Sequence, residues 1–282
     1  MLDIVFLIVL GVIWTAIASI QDLRNREVAN WLSFSLIIFA LGFRFFWCLF
    51  NGNSFAFFYQ GLIGFGIFLV LGNLFYYTRL FAGGDAKLMI ALGAILPFNE
   101  QFTNNLTIFL VFFFIFLFIG MVYGLIWSVY LSLRNFNNFK KELKRQFLFR
   151  KTLFYIITLL GLFFIVFGFF DVFLLPAGIF ILVFPYVYIY AKAVDEACMI
   201  KKINPNKLTE GDWLYKDIQF GKILIKANWE GLNEEEIKLL KKGKKQVLIR
   251  QGIPFIPVFF LSFVVLILWY SFWKPEFLFF LF

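Results

Sequence analysis

The chain has 282 residues and a mean hydropathy of +0.86; 62% of its residues are hydrophobic, 23% aromatic and only 15% charged, which excludes an ordinary soluble domain and leaves a polytopic membrane protein. The net charge of +9 sits mostly in loops assigned below to one membrane face, where cationic loops set orientation and meet anionic lipid, so nucleic acid is not an expected partner. No histidine is present, and Cys48 and Cys198 form neither a C-x-x-C site nor an evident disulfide; His-ligated metals and His-dependent nucleophiles are therefore excluded, leaving carboxylates for acid and base chemistry.

Ile4–Ile20 is the first apolar run, close to the length of about 20 helical residues that crosses about 30 Å of hydrocarbon. Met-Leu-Asp rather than Lys or Arg precedes it and no small-residue cleavage site precedes Gln21, so a permanent helix is expected rather than a signal peptide. Trp31–Phe50 and Phe55–Tyr77 follow, joined by the uncharged turn Asn51–Ser54, which suits a tight hairpin. Arg44 lies inside the second of these runs, where a cation snorkels or pairs. Ala86–Leu96 is a short run ending at Pro97, and Thr107–Leu133 is a long one. Thr152–Phe170 and Val172–Tyr190 come next, the latter with kinks expected at Pro176 and Pro185, and Phe255–Trp273 closes the series. About six to eight transmembrane helices are expected. Residues 1–194 should form the helical membrane domain, and 253–282 a last helix packed on it.

Between them, 195–252 reads as a small α+β module. Asp217–Ile225 is extended with a glycine-marked bulge or turn at Gly221. Asn233–Gly243 is a short helix with an Asn cap, acids in its first turn, lysines in its last and a terminating glycine. Lys245–Arg250 reads as a further strand. A module of about 55 residues forms only a small core, so it is expected to lean on the membrane domain.

Arg134–Lys151 carries seven basic residues against one acidic, whereas Asn51–Ser54 and Phe98–Asn105 carry no basic residue. The positive-inside rule places that basic loop in the cytoplasm. Counting crossings backwards puts Thr78–Asp85, and then Gln21–Asn30, on the same side. The expected location is the plasma membrane, with the 195–252 module cytoplasmic.

Two carboxylates stand out at these boundary turns. Asp22 follows the first run in I-Q-D-L-R-N-R-E-V-A-N, and Asp85 opens the fourth in F-A-G-G-D-A-K-L. An acid beside an apolar segment is expensive and points to function. Each has an ordinary reading too: Asp85 as a helix N-cap, Asp22 as a solvated acid paired with Arg24 or Arg26. Lys87 reads locally as a headgroup anchor or a neutraliser of nearby acid. Gly83 or Gly84 is required only where φ is positive or another backbone approaches closely, as an extended substrate would. Two acids brought together at low dielectric cannot both ionise, so one is a base for water and the other an acid for a carbonyl.

Taken together, the two motifs resemble the type IV prepilin peptidases, particularly the archaeal preflagellin and prepilin peptidases. That family's pattern is an aspartate after the first helix, followed by basic residues and a Pro-Asn pair, with a second aspartate in a G-x-G-D-x-K loop. Asp22, Arg24, Arg26, Asn30, Gly84, Asp85 and Lys87 match it, with Gly83 beside them. Ala82 stands where the pattern has its first glycine, and Ala29 where it commonly has proline. The resemblance covers mainly the first ~100 residues and implies a membrane aspartic endopeptidase with Asp22 and Asp85 as the catalytic pair. It also implies removal of short basic leaders from prepilin or preflagellin precursors at the cytoplasmic face, without metal or cofactor. Bacterial members carry a cysteine-rich loop and methylate the new N-terminus; without paired cysteines, cleavage without methylation is implied. Two competing readings use the same acids: an intramembrane protease of the presenilin kind, which would hold them mid-helix, and an ion-coupled transporter, which would show repeated halves.

Overall fold

A computed structural model describes residues 2–51, 54–220, 223–243 and 246–273. Its helices are α1 (Leu2–Asn25), α2 (Asn30–Asn51), α3 (Ala56–Tyr77), α4 (Gly83–Ile95), α5 (Phe102–Arg134), α6 (Phe136–Phe149), α7 (Lys151–Phe167), α8 (Leu174–Val194), α9 (Glu234–Gly243) and α10 (Ile256–Trp273). Among the described residues of the small module there are five short strands, β1 (Ile200–Ile203), β2 (Trp213–Leu214), β3 (Ile218–Phe220), β4 (Ile223–Ile225) and β5 (Val247–Arg250). Among the described residues, six helices are long and apolar enough to cross a membrane, or seven if the bent pair α6–α7 counts as one span. This is an integral membrane protein of helices with one small α+β module.

Eight apolar runs thus give six or seven spans, for two physical reasons. At 13 residues, α4 is only about 20 Å long, short of the hydrocarbon thickness. And the basic stretch read as a loop is helical: α6 turns through 76° into α7. No glycine or proline interrupts Phe136–Phe149, and its helix-forming lysines, leucines and glutamate segregate by face. Lys140, Lys141, Lys144 and Arg145 are exposed, while Phe139 and Gln146 are buried.

The chain divides into two compact units, 1–124 with 254–282, and 125–253. In the first, α4 is the central element. Leu88, Met89, Ala91, Leu92, Ala94 and Ile95 are all fully buried, and α4 packs on α3, α2 and α1. Without a hydrophobic driving force in lipid, helices associate through small residues that let backbones approach. Gly64 of α3 and Gly93 of α4 do this: a Cβ on either would overlap the other's carbonyl oxygen.

The far end of α4 is closed by Arg44 of α2, which is fully buried. Its guanidinium donates to the carbonyls of Ala94 (3.1 Å), Ile95 (3.1 Å), Phe57 (3.0 Å) and Pro97, and lies 4.3 Å from the centre of the Phe57 ring. The last carbonyls of a helix have no intrahelical partner and carry its negative dipole end. Arg44 therefore does not snorkel: it satisfies backbone carbonyls, and the charge of Asp3 acts on it as well.

In the second unit, α7 and α8 pack through Gly161 and Gly178. Pro176 falls in the first turn of α8, where no donor is needed, and α8 continues through Pro185. A π-helical turn, Asp195–Met199, leads into a sheet ordered β1-β5-β2, and β3 pairs with β4 antiparallel. Gly221, where a bulge or turn is expected, lies outside the described residues, as do Gly52 and Asn53 of the Asn51–Ser54 stretch and Lys245 of the predicted last strand. Asn233 caps α9 reciprocally, its Oδ1 accepting the Glu236 amide at 2.9 Å while Glu236 accepts its own. The module has its own core of Leu208, Leu214, Ile225, Leu232, Ile237, Leu240, Val247 and Ile249. It is tied to the end of α8 through Glu196, which accepts the Tyr215 hydroxyl at 2.7 Å and lies 3.5 Å from Arg250.

Candidate active site

The site lies wholly within the first unit, where α1 ends and α4 begins. α1 stops at Asn25 because Arg26 turns left-handed (φ 62°), its amide still reaching back to the Asp22 carbonyl at 2.9 Å. The turn that follows is fixed by Gln21, whose Oε1 accepts the Ala29 amide at 3.1 Å. A proline at 29 has no such donor, so alanine there supplies the restraint by hydrogen bond that the commoner residue supplies by its ring. Asn30 then opens α2.

Asp22 projects from the last turn of α1 and is 7% exposed. Its Oδ2 accepts the backbone amide of Ile256, 234 residues away in sequence, through a buried bond of 3.0 Å. Ile256 is the first residue of α10, so Asp22 caps the N-terminus of a helix at the opposite end of the chain. Arg26 adds a favourable charge.

Asp85 sits at the third position of α4. Its Oδ2 accepts the Ala82 amide at 3.2 Å, the backward half of a capping box. Asp85 therefore does serve the helix start, though as the third helical residue and not as the N-cap itself. Ala82 is extended (φ −71°, ψ 164°), a conformation open to any residue, so no glycine is needed there. Neither Gly83 nor Gly84 has a positive φ. A Cβ on Gly84 would stand at ordinary contact distance, 3.8 Å, from Val28 Cβ in the first motif's turn.

The two motifs meet. Lys87 Nζ donates to Asn30 Oδ1 at 2.7 Å, joining α4 to the start of α2. Lys87 is thus bonded within the site and is not free to act only as a headgroup anchor. Beneath the loop, the Phe81 ring packs on Phe255 (6.2 Å), Phe259 (5.9 Å) and Phe116 (5.8 Å), which holds the first turn of α10 against the Asp85 loop. Burial, and after it the charge of Asp22, pushes the Asp85 carboxyl up to about 7, against the lowering effect of the Ala82 amide. A carboxyl so placed holds its proton near neutrality beside a second carboxylate, and such a pair supplies an acid and a base at once.

Of the residues expected at the site, Asp22, Arg26, Asn30, Gly84, Asp85 and Lys87 come together in this way. Gly83 adjoins them, a Cβ there lying 3.9 Å from the Tyr76 ring. Arg24 is exposed. Sequence reasoning missed the Ile256 amide and Tyr123 of α5, which feels the charges of Asp22 and Arg26. The run G-I-P-F-I-P announces a helix start with unpaired amides, but nothing in it names a partner near residue 22.

Residues 9–129 match the type IV leader peptidase family. Preflagellin peptidase of Methanocaldococcus jannaschii is 34% identical over 89 residues, covering 32% of this chain and 37% of that protein. Preflagellin peptidase of Methanococcus maripaludis is 29% identical over 89 residues (32% and 38%), and that of Methanococcus voltae 28% over 88 (31% and 37%). The alignments thus span little more than a third of each of these curated relatives. No solved structure matches the chain.

Proposed function

We propose, from the match of residues 9–129 to the type IV leader peptidase family, that this chain is a membrane aspartic endopeptidase with Asp22 and Asp85 as its catalytic pair. It removes a short basic leader from preflagellin- or prepilin-like precursors. The observation that carries the reading is the convergence of two motifs about 60 residues apart in sequence: Asp22 acts electrostatically on Asp85, and Lys87 is bonded to Asn30.

In the reaction, one carboxylate takes a proton from water as the water oxygen bonds to the scissile carbonyl carbon. The other carboxyl gives its proton to the carbonyl oxygen. The tetrahedral intermediate then collapses as the C–N bond breaks, the first acid protonating the leaving nitrogen and the second recovering its proton from a hydroxyl. Neither metal nor covalent intermediate enters this scheme. Gly83 and Gly84 leave room for a substrate backbone, while Arg26, Asn30 and Lys87 hold the two turns in register. Arg24 meets the membrane surface or the precursor.

The cytoplasmic face is favoured by charge. Arg24, Arg26, Arg79 and Lys87 flank the two aspartates, whereas Asn51–Ser54 and Phe98–Asn105, at the opposite ends of the same helices, have no basic residue. Cys48 and Cys198 are both buried and unpaired, which favours cleavage without methylation of the product. Membranes bearing wild type, Asp22→Asn or Asp85→Asn are incubated with a preflagellin precursor. Cleavage by wild type alone, at equal protein levels, supports the reading; cleavage by either variant sinks it.

A further inference from the structure

We infer that Asp22 is the ionised member of the acid pair and Asp85 the protonated one, and that the Ile256 amide of α10 fixes this order. The inference rests on the peptidase reading for its chemistry and on geometry for its assignment.

An ionised carboxylate only accepts hydrogen bonds, and a buried one persists only where fixed donors replace water. Asp22 has such donors. The Ile256 amide reaches it at 3.0 Å through a buried bond, the Phe255 amide stands beside it and Arg26 adds a positive charge. The Ile256 amide is the first of α10 and Phe255 immediately precedes it, so the helix dipole points its positive end at the carboxylate. Asp85 also sits in a helix's first turn, so the dipole alone does not separate the two. The rest of their surroundings does. Asp85 accepts the amide of Ala82, at 3.2 Å, and faces the negative charge of Asp22. The charged and titratable groups acting on Asp22 are Arg26 from the turn after α1, Asp85 from α4 and Tyr123 from α5; α10 offers backbone amides.

Asp22 is then the base that takes the proton from water, and Asp85 the acid that gives its proton to the scissile carbonyl. α10 lies outside the stretch that matches the peptidase family, yet its first amide completes the site. Ile256 acts through Asp22 and is a positioning residue.

The test uses the full chain in membranes or micelles. Ile256→Pro removes the amide while keeping a residue well suited to the first helical position; Ile256→Ala keeps the amide and loses side-chain volume. A hydrogen bond to a charged group favours the charged form, so its loss moves the acid limb of the kcat/KM profile upward by about one pH unit or more. The limb is expected to move in Ile256→Pro and to stay in place in Ile256→Ala. An unmoved limb in Ile256→Pro, or equal shifts in both, overturns the inference. A second readout needs no cleavage: the protonated-carboxyl infrared band near pH 6 is expected to vanish in Asp85→Asn and persist in Asp22→Asn. The reverse pattern, or loss in both, overturns the assignment. If wild type cuts no precursor while the infrared pattern holds, the peptidase reading has failed and the proton assignment has not.

Discussion

The ammonium of Lys87 and the side-chain oxygen of Asn30 lie 2.7 Å apart, so the two sequence motifs are bonded to each other as well as to their own helices. Both residues are exposed, and an exposed bond of this kind contributes about 0.5–1.5 kcal/mol. Lys87→Met and Asn30→Ala should each lower stability by no more than about 1.5 kcal/mol. Each should lower kcat/KM for the precursor by about two- to tenfold, since 1.36 kcal/mol is tenfold in rate. The double variant should be no worse than the poorer single one, because both remove the same bond. Additive losses in that cycle would mean that the residues act separately.

The distance between the motifs is open to a chemical test. A Cβ on Gly84 would lie 3.8 Å from Val28 Cβ, inside the range of about 3.5–4.5 Å that a disulfide requires. In a background lacking Cys48 and Cys198, Val28→Cys/Gly84→Cys should oxidise readily, and Val28→Cys paired with Gly83→Cys should do so less. Peptide mapping under non-reducing conditions reads the bridge directly. Ready bridging without substrate means that the two turns are already together in the resting protein; bridging only after precursor is added means that substrate assembles the site.

Much of this arrangement was legible because its parts are local. The acids, glycines and cations of each motif lie within a few residues of one another, and the apolar runs that carry them have helical length. What was not legible depends on partners far off in sequence or on backbone atoms. Arg44 read as a cation in search of a charge, and its hydrogen bonds go to carbonyls such as those of Ala94 and Ile95, which no side-chain pattern encodes. The Ile256 amide is hidden for the same reason. α6 was missed because a dense run of lysines suggests a loop, and only the separation of Phe139 and Gln146 from the charges marks its buried face.

Gly83 has neither a positive φ nor a close neighbour, a Cβ there meeting the Tyr76 ring at 3.9 Å. Nothing in the fold demands glycine at this position. Gly83→Ala should therefore fold normally, with stability unchanged or raised by up to about 1 kcal/mol, the usual advantage of alanine in a helix. Cleavage should nevertheless fall by about tenfold or more, because the added methyl occupies the space needed by an incoming peptide backbone. Thermal unfolding and precursor cleavage, measured on the same preparation, separate the two effects. Full activity in Gly83→Ala would show that substrate does not approach at this residue.

Arg44 governs the opposite end of the same helix. With its side chain removed, the carbonyls of Ala94, Ile95, Phe57 and Pro97 lose their donors in a region where Arg44 itself is fully buried. Each buried unsatisfied group costs about 1–3 kcal/mol. Relaxation and water entry reduce the total, so a loss of about 3–5 kcal/mol is expected for Arg44→Met, comparable to breaking a buried ion pair. Arg44→Lys should fall between, because an ammonium carries charge to the helix C-terminus but lacks the planar fork that reaches several carbonyls at once. Thermal unfolding in micelles should rank wild type above Arg44→Lys and Arg44→Met lowest. Asp85 sits about 15 Å from this end along α4, at 1.5 Å per residue, so the folded fraction of each variant should keep the wild-type pH profile even as its yield declines. A shifted profile in Arg44→Lys would mean that Arg44 also sets the position of Asp85.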